Sequence, residues 1–170
     1  MSFDLQSLRT ATDRHGAVIR VLVAEARGSV PRGPGTAMLI WTDGQSGTIG
    51  GGALELAAAT AARAQLAAGT EARGSRHPLG PGLGQCCGGA VTLVAERWDA
   101  AKLAIFAQSP VVLRQVEGSG DLPFALRGAC KEARGAGQPF PLTFTCGWLA
   151  DPVTRAVRSV WVHGAGHVGR

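Results

Sequence analysis

Gln85-Cys86-Cys87-Gly88-Gly89 places two adjacent thiols inside a glycine-dense loop that runs from Leu79 to Gly89. Glycines permit positive φ and close backbone approach, so thiols on such a loop can be presented to a ligand instead of being packed away. A competing reading is a hairpin connection ending in two small apolar side chains, since free cysteine is often buried as a small hydrophobe. Adjacent cysteines are poorly placed for a mutual disulfide and lack the spacing of a zinc knuckle.

A second glycine-rich element precedes it. Gly28-Ser29-Val30-Pro31-Arg32-Gly33-Pro34-Gly35 leads into an apolar run, and Gly47-Thr48-Ile49-Gly50-Gly51-Gly52-Ala53-Leu54-Glu55 opens an alanine-rich stretch. A triple glycine at a helix start can turn backbone N–H groups toward an anion. The same glycines also suit a strand-to-helix turn that needs close packing, and Glu55 in a first turn complements the helix dipole.

The elements that must hold these loops are legible from periodicity and stop signals. Residues 3–14 read as a helix with Leu5, Leu8 and Ala11 on one face and Gly16 as its stop. Val18–Ala24 reads as a buried strand, and residues 36–42 and 46–49 as a hairpin around Asp43-Gly44. Ala53–Ala68 is the clearest helix, closed by Gly69. Residues 70–78 are expected to be extended, with Arg76 and His77 arriving just before the thiols, and Ala90–Arg97 to be the strand that leaves them. Both glycine loops then fall at sheet ends, where sites are commonly built. A helix over 99–108, a strand over 110–116, a strand-like 140–148, a turn at Pro152 and a final strand over 159–162 complete the reading. Glu117–Gln138, punctuated by glycines, gives no clear assignment. The fold class is α/β, a mixed α+β sheet domain over residues 1–156, with residues 157–170 as the truncated first strand of a Rossmann-like domain.

Composition bounds the function classes. With 45% hydrophobic and 17% charged residues among 170, the chain has the balance of an ordered globular protein. Its net charge of +5 is carried almost wholly by arginine, lysine occurring only at Lys102 and Lys131. Arginine suits forked recognition of phosphate or carboxylate, but a GC-rich genome gives the same bias. The arginines form no run and no aromatic-interleaved stripe, which argues against a nucleic-acid surface. No apolar run approaches the roughly 20 residues of a membrane span, and Met1–His15 has no export-signal core, so a cytoplasmic location with Cys86, Cys87, Cys130 and Cys146 as thiols is expected. Cys130 and Cys146 read as packing residues, and His15 and His77 as solvated.

Gly164-Ala165-Gly166-His167-Val168-Gly169 follows an apolar strand, the context of a dinucleotide-binding glycine signature. The helix and second strand that would complete such a unit do not follow, so the signature cannot bind a dinucleotide by itself.

Taken in order, the Gly28–Arg32, Gly47–Glu55, Gly84–Gly89 and Val162–Arg170 segments resemble the XdhC/CoxI family of accessory proteins. The doubled cysteine resembles its xanthine dehydrogenase accessory branch most. The resemblance covers most of residues 17–97 and about the last ten. It implies a molybdenum-cofactor chaperone, not an enzyme, which holds molybdopterin or its dinucleotide form while a cysteine desulfurase supplies the sulfido ligand. It then delivers the cofactor to xanthine dehydrogenase, with cofactor biosynthesis proteins as further partners. Carried onto this sequence, it assigns Cys87 and Cys86 to the metal or to sulfur handling, and Arg32 and Arg76 to the phosphate. Gly50, Gly51, Gly52, Gly88 and Gly89 allow close backbone approach, and Glu55 orients donors at the helix start. Soft thiols suit the metal and arginine forks suit the phosphate.

The rival class is a fragment of a nicotinamide-dependent oxidoreductase. It explains the terminal glycine signature but leaves the cysteine loop and Gly50–Gly52 without a task. A homo-oligomer is compatible with either reading.

Overall fold

The computed structural model describes residues 3–80, 88–136 and 140–154. The doubled cysteine Cys86-Cys87, the terminal strand over 159–162 and the Gly164–Gly169 signature lie outside the described residues.

The chain forms a mixed α+β fold of two sheets lying face to face. After β1 (Phe3–Asp4) and α1 (Leu5–His15) come β2 (Val18–Arg27), β3 (Ala37–Trp41), β4 (Gly44–Gly47), α2 (Gly52–Ala68), β5 (Ala72–Pro78) and β6 (Ala90–Trp98). Then follow α3 (Ala100–Phe106), β7 (Val111–Gln115), α4 (Phe124–Ala136), β8 (Thr143–Thr145) and β9 (Trp148–Thr154). The larger sheet has the order β4-β3-β2-β6-β5 with every pairing antiparallel. The smaller has the order β1-β9-β7, with β8 also on β9 and β1 parallel to it.

Alternation along β2 explains the layering. Ile19, Val21 and Val23 pack with Leu54, Ala58 and Ala62 of α2 on one face. Leu22 and Ala24 meet Leu149 of the smaller sheet and Val116, the residue after β7, on the other. A strand buried on both faces reads as a near-continuous apolar run, which is why β2 was legible in the sequence. Leu126 and Cys130 of α4 cover the far side of the smaller sheet, against Val111 and Ala150. Phe3, Leu8, Trp98, Leu103 and Val112 close one end of the molecule.

Several expectations are corrected. Glu117–Gln138, without a sequence assignment, contains α4; Gly128 and Gly135 interrupt a pattern whose apolar face only the sheet makes visible. Residues 140–148 are not one strand, because the Cys146-Gly147 turn splits β8 from β9. Pro152 sits within β9 rather than in a turn. Val153 N–H bonds Pro110 O on the β7 side, so the nitrogen of position 152 faces the opposite edge. There β8 has ended at Ala150 and β1 begins only at Val153, so the missing N–H breaks no ladder bond. Cys130 packs as expected, but Cys146 is exposed.

Candidate functional site

All three connections that carry the glycine elements emerge at one end of the larger sheet: β2 to β3, β4 to α2, and β5 to β6. Antiparallel pairing puts the C-termini of β2, β4 and β5 and the N-termini of β3 and β6 on the same side. The Gly28–Gly35 loop occupies the centre and touches both neighbours.

Its contact with the cysteine loop is backbone against backbone. A Cβ at Gly89 would collide with the carbonyl oxygens of Ser29 and Arg27. Only a bare backbone fits there, and it lets the cysteine loop return beside β2 at the Arg27–Ala90 pair. The base of the loop is closed by Leu79 N–H on Gly89 O at 2.8 Å, with the Leu79 side chain in the core. Gly88, by contrast, has open space around it.

The other contact joins the central loop to the helix start. Gly50 has φ +127, and a Cβ on it would lie 2.7 Å from Pro31 Cγ. That approach brings Arg32 beside the turn into α2, where its exposed guanidinium has no partner among the described residues. Gly51 and Gly52 also have positive φ, and no side chain caps the helix.

Glu55 organises this turn from within. Its carboxylate accepts from Thr48 Oγ1, from the backbone N–H groups of Ile49 and Gly51 at 3.0 Å each, and from Gln45 Nε2 at 3.3 Å. The Thr48 hydroxyl, followed by the backbone donors, outweighs partial burial and holds the Glu55 carboxyl below its ordinary value. Glu55 therefore fixes the glycine turn; the N–H groups it accepts from point inward at it.

The other expected residues distribute as follows. Arg76 lies on β5 in register with Thr92 of β6, whose hydroxyl donates to Glu25 of β2. That row is on the sheet face opposite α2, so Arg76 is on the far side of the sheet from the α2-packed face. His77 faces the other way, toward α2. It is half-buried with Ser75 Oγ at 2.9 Å from its Nε2, not solvated as expected. His15 is exposed but stacks on Trp41 at 4.2 Å between ring centroids. Among the described residues, no group of three or more His, Cys, Asp or Glu side chains could hold a metal, and no helix is long and apolar enough to cross a membrane.

One cluster escaped sequence reading. Arg20, Glu96, Arg114 and Asp151, all buried, join the two sheets through ion pairs, with Arg20 and Glu96 adjacent across β2 and β6. Burial works against the Arg114 cation, but Glu96 and then Asp151 hold its pKa above the ordinary value. The available signal was Arg20 itself, a charge inside an otherwise apolar strand.

Residues 11–75 match the model of the XdhC and CoxI family. Among solved structures, the fold is similar to that of a xanthine dehydrogenase from Bacillus halodurans, with 22% identity and a TM-score of 0.55. The similarity covers 71% of this chain and 40% of that one, so the match spans about two fifths of that protein's length. No curated protein matches. The family resemblance read from the glycine loops is thus shown for the segment holding the first two of them, residues 11–75, as an XdhC and CoxI family match.

Proposed function

We propose that this chain acts in molybdoenzyme maturation, binding the molybdenum cofactor where the three glycine loops meet, holding it for sulfuration by a cysteine desulfurase and passing it to xanthine dehydrogenase. The observation that supports this most is the meeting of three glycine loops beside Arg32, a forked cation without a partner among the described residues. The family match over residues 11–75 adds to it.

The residues present fit such a group. A pterin cofactor ends in a phosphate or pyrophosphate, and Arg32 supplies a planar fork for it. Gly51 offers bare backbone with open space around it, so a ligand can approach the turn closely there, while its N–H stays on Glu55. Cys86 and Cys87, from the loop that leaves Gly80 and returns at Gly88, are the proposed thiol contacts. When bound, the cofactor brings the molybdenum and sulfur chemistry of the client enzyme. The chain's own residues bind the phosphate, orient the loops and keep thiols near the metal. Accessory maturation, not catalysis, is the task they suit.

Titration with released molybdenum cofactor tests this reading. Arg32→Ala should weaken binding, and Arg32→Lys should weaken it nearly as much because the bidentate contact is lost. Cys87→Ala should lower molybdenum retained per protein, with Cys86→Ala giving a smaller loss. Equal molybdenum content in wild type and the Cys86, Cys87 double variant would remove the thiols from the site. Binding of NAD in preference to the cofactor would favour the oxidoreductase reading instead.

A further inference from the structure

α2 lies over β2 and β3, whereas β5 is the outermost strand on the far side of β6. Between the helix and this edge strand a cavity of about 130 Å³ remains open. Its walls are mostly apolar: Ala57 and Ala61 on α2 are too small to reach β5, Leu93 of β6 forms part of the floor, and the one polar residue of α2 among them, Gln65, spends its Nε2 on Thr70 O and Ala95 O. Space of this size accepts a six-membered ring or a short hydrocarbon chain.

The rim has a different chemistry. Arg73, Ser75 and His77 alternate along β5, so all three side chains stand on the α2-facing side, about 6.6 Å apart per pair of residues. Arg73 is exposed and has no carboxylate partner among the described residues. Ser75 Oγ and His77 Nε2 are 2.9 Å apart. Burial lowers the His77 pKa, which favours the neutral ring. A neutral ring protonated on Nε2 donates to Ser75 Oγ and leaves the serine proton free to point into the cavity. The rim then presents one fixed cation and one hydroxyl donor above an alanine-walled hollow. No acidic side chain lines it.

We propose that this cleft is a second binding site, separate from the glycine loops, for a small monocarboxylic acid whose hydrocarbon body of about six carbons lies against Ala57, Ala61 and Leu93. The carboxylate takes the Arg73 fork and the Ser75 hydroxyl, while His77 holds that hydroxyl in its donor orientation. The inference does not depend on the cofactor reading, since no residue of the glycine turn takes part.

Calorimetric titration of the full chain with sodium hexanoate and sodium benzoate, alongside 1-hexanol and hexylamine, tests it. The carboxylates should bind at one site, with hexanol weaker and hexylamine weakest. Arg73→Gln, an exposed change on an edge strand, should weaken hexanoate about tenfold, the loss expected for one charge-assisted contact. Ser75→Ala should weaken it by less, and Ala61→Phe should abolish it by filling the hollow. Thermal melts establish that each variant is folded; if Ala61→Phe is not, Ala57→Leu takes its place. The site is overturned if neither carboxylate gives heat at millimolar concentration, if folded Arg73→Gln binds hexanoate as wild type does, or if hexanol binds as tightly as hexanoate. Failure of any of these leaves the molybdenum-cofactor titration unaffected, so the two readings are judged separately.

Discussion

Arg20 on β2 reaches across the interface between the two sheets to Asp151 on β9, with Nη1 2.6 Å from Oδ2 and both side chains almost wholly withdrawn from solvent. The pair is not isolated. Arg114 also approaches Asp151 at 3.4 Å and is itself paired with Glu96, so two cations and two carboxylates neutralise one another. The Arg20 and Arg114 guanidinium groups lie 5.0 and 5.6 Å from the centre of the Phe3 ring.

Truncating Arg20 leaves two buried carboxylates, Asp151 and Glu96, sharing the single cation Arg114 in low dielectric. Arg20→Met should therefore cost about 3–5 kcal/mol of stability, whereas Arg20→Met combined with Asp151→Leu should recover much of that loss. Urea unfolding of the two variants and wild type checks this; a double variant no more stable than the single one would mean that the pair contributes more than charge balance.

Contact between the glycine loops predicts a sharp contrast within one dipeptide. Gly89→Ala must push the cysteine loop away from the carbonyls of Arg27 and Ser29, at a cost of about 1–3 kcal/mol. Gly88→Ala meets nothing within 4 Å and should be nearly neutral on that account. Comparing their melting temperatures decides the matter, and similar losses in both would place the loop elsewhere.

Glu55 gives a pH dependence with a defined sign. Its folded-state pKa lies below the ordinary 4.5, so the unfolded chain binds the proton more readily. Its contribution is complete above pH 4.5 and is lost as pH falls through the lower folded value. Glu55→Gln should cost about 1 kcal/mol near neutrality, since the neutral amide keeps an acceptor oxygen but loses the charge-assisted part of these bonds at a half-buried site, and the gap to wild type should narrow in acid. Stability curves at several pH values provide the measurement.

The β8–β9 hairpin carries a residue ill suited to its backbone. Cys146 has φ +50 and Gly147 φ +77, between the Thr145–Trp148 pair, the arrangement of a two-residue turn with both central φ positive. Asparagine tolerates that conformation better than cysteine does. Cys146→Asn should raise stability by about 0.5–1 kcal/mol, read as an increase in melting temperature.

Some of this molecule was legible from residue order alone, for local reasons. α1 and α2 announce themselves through an apolar face or an alanine run and through Gly16 and Gly69, which close them at positive φ. Strands β2 and β6 follow from apolar runs and alternation, and the three glycine loops from composition. Each signal lies within one segment, and so does the physics that produces it.

What the tertiary structure decided concerns pairing between segments. Which face of β5 each residue occupies sends Arg76 away from α2 and His77 beneath it, and a period of two cannot say which face will be covered. Pro152 sits in strand because β8 ends and β1 begins on either side of it, a gap made by residues far apart in sequence. The pairing of Arg20 with Asp151 spans 131 positions. The sequence by itself determined which loops are rich in glycine and that the first two carry a family pattern. Only the antiparallel order of the larger sheet brings them to one end, because strand order depends on long-range backbone pairing that no local signal encodes.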